Sequence, residues 1–486
     1  MKKITEILQG IDYSVAGHAA DFSVADICFD SRKTSMNDLF VAVRGSITDG
    51  HNYIKEAIGL GASAVMCEKI PANPDPDICW IKVKNSAYAL AVCASNYYNK
   101  PADEIKLVGV TGTNGKTTTA TLLYRLFTSL GYRVGLLSTV TNYIAGKEQQ
   151  ATLTTPDPVR INMLLREMIN EGCEFAFMEV SSHAIVQKRI AGLSFIMGIF
   201  TNITHDHLDY HGSFDNYLKA KKEFFDNLPE RSIALVNADD RNGSLMLQNC
   251  RADKYEYSLK TVADFTCRII EHRIDGMSLR FENQEVWTCF IGEFNAYNLL
   301  AVVSAAELLG QDRLEVLTRI SALKPVPGRF EVIRSGMGTT AIVDYAHTPD
   351  ALDNVLETIN KIRATGNKLI TVVGAGGDRD RSKRPVMARI SVEKSDRVIL
   401  TSDNPRSEDP DKIIDDMITG VPVKMQDKVL RITDRREAIH AASLMAGEND
   451  IILVAGKGHE TYQEIMGQRY HFDDREELRK VLMSAN

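Results

Sequence analysis

The sequence predicts an α/β protein of three domains, the central and C-terminal ones built on parallel sheets. Three observations carry this. The chain has 486 residues, 44% of them hydrophobic, enough for several independent cores. Short apolar runs alternate with helical patterns along most of its length, the βαβ grammar of parallel sheets. A Gly-rich loop near residue 112 sits between a predicted strand and a predicted helix. Two Pro-marked joints, at Pro101 and in the stretch 324–328, divide the chain into units 1–101, 102–327 and 328–486.

In the first unit, residues 38–43 and 62–66 read as strands, and 53–60 and 85–98 as helices. The second opens with a strand at 106–110, a helix at 117–130 and a strand at 133–137. It continues with apolar runs at 175–178 and 195–200 and an amphipathic helix at 217–228. In the third, strands are expected at 340–343, 368–373, 397–400 and 451–454. Helices are expected there at 349–361, 384–392 and 435–445. No internal repeat or low-complexity tract interrupts the pattern.

The net charge of −7 argues against a broad nucleic-acid footprint. Eight scattered cysteines contain no CxxC pair and leave the last third of the chain empty, which points to reduced thiols and a cytoplasmic protein. The start lacks a secretory h-region, and no run of 18 apolar residues is present, so no membrane span is expected.

The chemistry concentrates in a few segments. In Gly112-Thr113-Asn114-Gly115-Lys116-Thr117-Thr118 the glycines let backbone N–H groups face a phosphate at a helix N-terminus. Lys116 can reach the outer phosphates of ATP, and the Thr117 hydroxyl can hold Mg²⁺. Val110 stands where the strict GxxxxGK[ST] pattern wants Gly, so the strand–loop–helix context carries this reading. Glu179, ending an apolar strand, suits Mg²⁺ at the carboxyl edge of the sheet and equally an ordinary strand-end acid. The run 201–211 packs His205, His207 and His211 with Asp206 and Asp209; zinc is conceivable, but the ATP loop favours Mg²⁺. Lys221 falls in the middle of an apolar stripe formed by Tyr217, Phe224, Phe225 and Leu228. An unpaired buried ammonium is costly, so Lys221 must snorkel, pair with an acid or be chemically changed.

Taken together, these motifs resemble the Mur ligases of peptidoglycan synthesis over nearly the whole chain. The resemblance rests on the TGTNGKTT loop, the glutamate after a strand, the DHLDYH segment and Ala220-Lys221 before Phe224-Phe225, where the family has a carbamylated lysine. It implies a UDP-sugar-binding N-terminal domain, a central P-loop ATPase domain and a Rossmann-like C-terminal domain that binds the amino acid. It further implies that Thr117, Glu179, His207 and carbamylated Lys221 serve the metal, and that Lys116, Lys221, His207 and Glu179 serve catalysis.

Within the family, the motifs resemble the branch that adds the third stem-peptide residue to UDP-N-acetylmuramoyl-L-alanyl-D-glutamate. By that resemblance Ser31 and Ser46, Ile47 and Thr48 would contact the UDP-sugar. Thr154, Thr155, Ser181, Gln187 and Arg189 would hold the muramoyl peptide; Leu153 stands where many relatives have Asn. Asp403-Asn404-Pro405-Arg406, with Arg379, Gly456 and Glu460, would take meso-diaminopimelate. The physics agrees, because diaminopimelate differs from lysine by a distal carboxylate that Arg406 can clamp bidentately. Arg329, at the hinge, matches a phosphate contact. Asn295 and Asp344 match nucleotide contacts, and equally suit a helix cap and a strand end. The partners expected are these two small substrates, for a monomer without nucleic acid.

The implied reaction is attack of the D-glutamyl carboxylate on the ATP γ-phosphate, then attack of the amine on the acyl phosphate. Rivals are a lysine-adding or folylpolyglutamate-type ligase, a nucleotide-dependent switch, and a dehydrogenase built on the GxGG of residues 374–377.

Overall fold

The computed structural model describes residues 1–17, 22–45, 48–151, 153–335 and 338–483. Three sheets dominate it. The first has five strands, in the order Tyr13–Gly17, Cys79–Val83, Ala64–Cys67, Leu39–Val41 and Ile27–Cys28, with only the first pair antiparallel.

The second sheet has nine strands. Lys106–Thr111 lies at its heart, between Phe175–Glu179 and Met197–Phe200, and both pairings are parallel. Such strands are covered on both faces and read as continuous apolar runs; Phe175–Glu179 is buried throughout, its terminal carboxylate included. The antiparallel hairpin Thr141–Ile144 and Lys147–Gln150 closes one edge. A separate antiparallel meander, Arg268–Arg273, Gly276–Phe281 and Gln284–Thr288, precedes the long helix Glu293–Leu308.

The third sheet runs Glu331–Arg334, Thr340–Asp344, Ile451–Ala455, Leu369–Val373, Arg397–Leu400 and Val429–Arg431, antiparallel only at its first pair. A small hairpin, Tyr462–Ile465 and Gln468–His471, hangs beyond it.

Local chemistry explains where the helices begin. Asp157 and Thr348 accept a backbone N–H and are each followed by Pro at the first helical position, a good N-terminal arrangement. The helix Phe214–Asp226 is positioned by glycine. A Cβ on Gly109 would lie 2.7 Å from Phe224 Cζ, and one on Gly198 would lie 2.9 Å from Leu228 Cδ1. Two bare strand positions thus let Phe224 lie against the central sheet. Lys221, one turn earlier on the same face, is carried to the end of Lys106–Thr111.

The Gly109→Ala substitution should therefore overpack this contact. We expect a loss of about 1–3 kcal/mol, read as a lowered midpoint of urea unfolding, and partial recovery when Phe224→Leu is added. An unchanged midpoint in Gly109→Ala would contradict the packing argument.

Candidate active site

The loop at residues 112–115 crosses from the central strand into the helix Lys116–Ser129. Gly112 has φ 153° and Gly115 φ 84°. A Cβ would fall 1.9 Å from Thr201 Oγ1 at the first and 2.5 Å from Asn298 Oδ1 at the second. Both positions therefore demand glycine, for conformation and for space. Lys116 Nζ folds back on its own loop and donates to the carbonyls of Gly112 (2.9 Å) and Thr113 (2.8 Å).

Lys221 donates to the same Gly112 oxygen at 2.7 Å. It neither snorkels nor meets an acid. It is 1% exposed, 4.9 Å over the Tyr217 ring, and among the described residues no carboxylate lies within ion-pair distance. Burial, then the charge of Lys116, lowers its pKa well below the ordinary lysine value; burial likewise lowers that of Lys116.

Glu179, fully buried, is held by two donors, Thr117 Oγ1 (2.9 Å) and the Thr139 N–H (2.7 Å). Its backbone carbonyl accepts from Thr155 Oγ1 at 2.8 Å. Thr155 Oγ1 is also 3.2 Å from Ser181 Oγ, while Thr139 Oγ1 reaches Thr154 Oγ1 at 3.1 Å. Arg189 bonds the Thr155 carbonyl at 2.7 Å and Gln187 Oε1 at 2.6 and 2.9 Å. The five residues from Thr154 to Arg189 expected to hold a peptide thus form one connected patch beside the loop.

His207 sits at φ 54°. Its N–H donates to Asp206 Oδ1 at 2.8 Å, which fixes that backbone. Burial lowers its imidazole pKa despite Asp206, leaving a neutral ring able to act as a ligand. His211 is committed to Ser182 Oγ at 3.0 Å. Among the described residues no group of three His, Cys, Asp or Glu side chains is arranged to hold a metal. The hard oxygen donors Thr117 Oγ1 and Glu179 Oε2 do suit Mg²⁺.

A cavity of about 560 Å³ opens between the central and C-terminal units, lined by the loop, Glu179, His207, Asn295, Arg329 and Asp344 among others. Arg329 reaches Thr117 Oγ1 at 3.3 Å and stacks 4.3 Å over the Tyr345 ring, while its buried Nε has no partner. That orphan donor suits an anion. Asp344 Oδ2 accepts the Phe330 N–H at 2.7 Å, and burial raises its carboxyl to about 6 although Arg329 opposes this. Asn295 does not cap its helix through a side-chain bond: its amide donates to the Ile291 carbonyl at 2.8 Å, and its oxygen accepts from Asn298 at 3.2 Å.

Three groups at this junction were not singled out from sequence. Asn298 lies one turn beyond Asn295 on a nearly all-buried helix, a signal that was available. Asp350 Oδ2 accepts from Asn114 Nδ2 (2.9 Å) and Thr204 Oγ1 (3.2 Å), bridging the two units. Lys383 pairs with Asp206 at 2.5 Å, yet in the sequence it is one charge in a charged run.

The remaining candidates lie elsewhere. Ser31 Oγ donates to Glu56 at 2.8 Å in the first unit, and Thr48 is exposed. Ser46 and Ile47 lie outside the described residues. In the third unit Arg406, at φ 51°, gives Nη1 to the Gly377 carbonyl at 2.7 Å. Its backbone pairs with the hairpin through Glu464 O (3.0 Å) and Met466 N (2.7 Å). Asn404 Nδ2 donates to Glu460 Oε2 at 2.8 Å, and a Cβ on Gly456 would lie 2.5 Å from Asp403 Oδ2. Arg379 flanks the same cluster, its Cγ being 3.7 Å from the Cβ that Gly376 lacks.

Three family models match this chain: "Mur ligase family, catalytic domain" at residues 23–98, "Mur ligase middle domain" at 110–306, and "Mur ligase, glutamate ligase domain" at 328–458. The chain belongs to the Mur ligase family. Among relatives, the UDP-N-acetylmuramoyl-L-alanyl-D-glutamate--2,6-diaminopimelate ligase of Cytophaga hutchinsonii is 55% identical over 470 residues, 96% of each chain. The protein of the same name from Bacteroides thetaiotaomicron is 52% identical over 478 residues, 98% of this chain and 99% of that one. A solved structure bearing that enzyme name aligns with TM-score 0.67 and 32% identity over 99% of this chain and 98% of the other. MurF from Acinetobacter baumannii shares the Mur ligase fold, with TM-score 0.66 at 17% identity over 94% and 95% of the two chains.

Asp344 offers a pH test. Its folded pKa lies above the value near 4 of an exposed carboxyl, so the native state binds the extra proton. Stability from this group is therefore greatest below about pH 4 and falls as pH rises to about 6. Asp344→Asn keeps the acceptor for Phe330 and removes the charge. Relative to the parent it should gain about 2–3 kcal/mol between pH 4 and 7, measured by denaturant unfolding. A pH-independent difference would contradict the raised pKa.

Proposed function

We propose that this Mur ligase joins meso-diaminopimelate to UDP-N-acetylmuramoyl-L-alanyl-D-glutamate at the expense of ATP, through an acyl phosphate. The observation that carries the amine assignment is one cluster of the C-terminal unit: Asn404 Nδ2 donates to Glu460 Oε2, and Arg406, two residues further on, gives Nη1 to the Gly377 carbonyl. A cation and an anion in one cluster complement a zwitterionic distal centre; Arg406 has only a long contact of its own, Nε to Glu464 Oε2 at 3.9 Å, and lysine would bring it no carboxylate. The names of the relatives agree, and among the described residues no helix is long and apolar enough to cross a membrane. All eight cysteines are free, as suits a cytoplasmic enzyme.

The roles follow from position. The loop N–H groups, Lys116 and Arg329 take the phosphates of ATP, with Asn295 and Asp344 toward the nucleoside. Thr154, Thr155, Ser181, Gln187 and Arg189 place the D-glutamyl carboxylate beside them, while Ser31, Ser46, Ile47 and Thr48 anchor the distant uridine end. Thr117, Glu179, His207 and Lys221 would hold Mg²⁺, which when bound would supply charge neutralisation at the phosphates. Lys221 serves there as a carbamate: burial and the charge of Lys116 favour its neutral amine, whose nitrogen bonds the carbon of CO₂ and gives up a proton, leaving a carbamate anion. The carboxylate attacks the γ-phosphorus and ADP leaves; the amine then attacks the acyl carbon and phosphate leaves. Catalysis of this kind is positioning and charge stabilisation. The bridges Asn114–Asp350 and Lys383–Asp206 hold the C-terminal unit over the loop and keep water from the acyl phosphate.

Amine-dependent ADP release with diaminopimelate, lysine and ornithine tests the reading. Diaminopimelate alone should support rapid turnover; equal rates with lysine would refute the assignment. Lys116→Ala should abolish turnover with every amine. Arg406→Ala leaves the substrate carboxylate unpaired at a cost of about 2–5 kcal/mol, so kcat/KM for diaminopimelate should fall at least ~30-fold while the KM for ATP stays unchanged.

A further inference from the structure

Lys457 is fully buried, and neither the phosphates nor the peptide patch uses it. The backbone turns it inward. Gly456 and Gly458 on either side adopt φ 116° and 53°, and a Cβ on Gly458 would stand 2.5 Å from the Gly328 carbonyl oxygen. Between these two turns the lysine side chain runs beneath the amine cluster. Its Nζ donates to Asn404 Oδ1 at 3.1 Å and Glu460 Oε2 at 3.2 Å, lies 3.8 Å from Asp403 Oδ1, and sits 5.6 Å over the Tyr462 ring.

The arrangement is asymmetric. Glu460 Oε2 accepts from both Asn404 and Lys457, while Oε1 has no hydrogen-bond partner among the described residues. One oxygen is fixed and the other is left to a ligand. The charges also count. Two carboxylates, Asp403 and Glu460, and one ammonium, Lys457, leave a single negative charge, the charge that one ligand ammonium neutralises. Without Lys457 the buried carboxylate of Asp403 and the partly buried one of Glu460 would lose the cation between them, which is costly.

We infer that Lys457 is a positioning residue for amine selection: it holds Glu460 and Asn404 so that the free oxygen of Glu460 meets the distal ammonium of the amine substrate. This rests on the diaminopimelate reading above and deepens it. Lys457 itself touches no substrate. Its effect belongs to recognition of the distal amine and to neither ATP binding nor the chemical step.

The test compares diaminopimelate with 2-aminopimelate, which keeps both carboxylates and lacks the distal amine. The parent should prefer diaminopimelate in kcat/KM. In Lys457→Met that preference should shrink roughly 10- to 100-fold, the scale of a charge-assisted hydrogen bond. KM for diaminopimelate should rise, and the KM values for ATP and the UDP-sugar peptide should hold. Because the readout is a ratio of two amines on one protein, general damage does not produce it. If Lys457→Met fails to fold, Lys457→Gln, which keeps one donor and loses the charge, carries the same test. A preference unchanged in the substituted enzyme, or a fall in kcat with diaminopimelate KM unaltered, overturns the inference alone. A parent that does not prefer diaminopimelate to 2-aminopimelate overturns the amine reading beneath it.

Discussion

Two lysine side chains, Lys116 and Lys221, donate to one backbone oxygen, that of Gly112. The placing of both lysines beside the phosphate loop depends on that shared acceptor. Two ammonium groups meeting on one carbonyl in a buried site repel each other and lose hydration, and both pKa values are lowered. On the proposed reading the arrangement is relieved when an anion arrives at Lys116 and when Lys221 loses its ammonium proton, adds CO₂ through the neutral nitrogen and sheds a second proton to become a carbamate. Two cations converging on one carbonyl are matched, on that reading, to a polyphosphate. The glycines at 109 and 198 are the distant cause, since they let the Phe214–Asp226 helix settle close enough to bring Lys221 to the loop.

The second constraint is the junction of the central and C-terminal units. Arg329 comes from the hinge, and Asp350 and Lys383 each from a helix start, and each ends on a group of the central domain. On the proposed reading phosphate binding and amine delivery are built on different units, which polar contacts join across a cavity. Such contacts are weaker than an apolar interface and suit a joint that must open to admit substrates. Behind the amine cluster the sheet edge is stiffer. The fully buried Arg435–Asp474 pair, with Arg435 also bonded to the Ala455 carbonyl, anchors the strand from which the segment Gly456 to Glu460 departs.

Much of this was legible in the sequence, for identifiable reasons. Parallel strands buried on both faces leave apolar runs, so the strand at 397–400 and the helix at 435–445 were read to the residue. The phosphate loop was readable because its chemistry is local. Lys221 stood out because a charge in an apolar stripe demands an explanation, and here neither snorkelling nor an acid partner supplies one. The meander Arg268–Thr288 was missed: its strands alternate with charged residues such as Arg268, Glu271, Arg273 and Glu285, which gives no apolar run. The edge strands Glu331–Arg334 and Val429–Arg431 were missed because they are short and half-exposed. Asp350 and Lys383 were invisible for a different reason. Their partners are far off in sequence, on another domain, and no local pattern marks a charge whose partner arrives only on folding.

The account stands or falls on the chemical state of Lys221. ¹³C NMR of the purified enzyme in ¹³C-labelled bicarbonate measures it directly. The account predicts a single protein-bound carbamate resonance in the active parent that is absent from Lys221→Met. A fully active enzyme that shows no such resonance would contradict it.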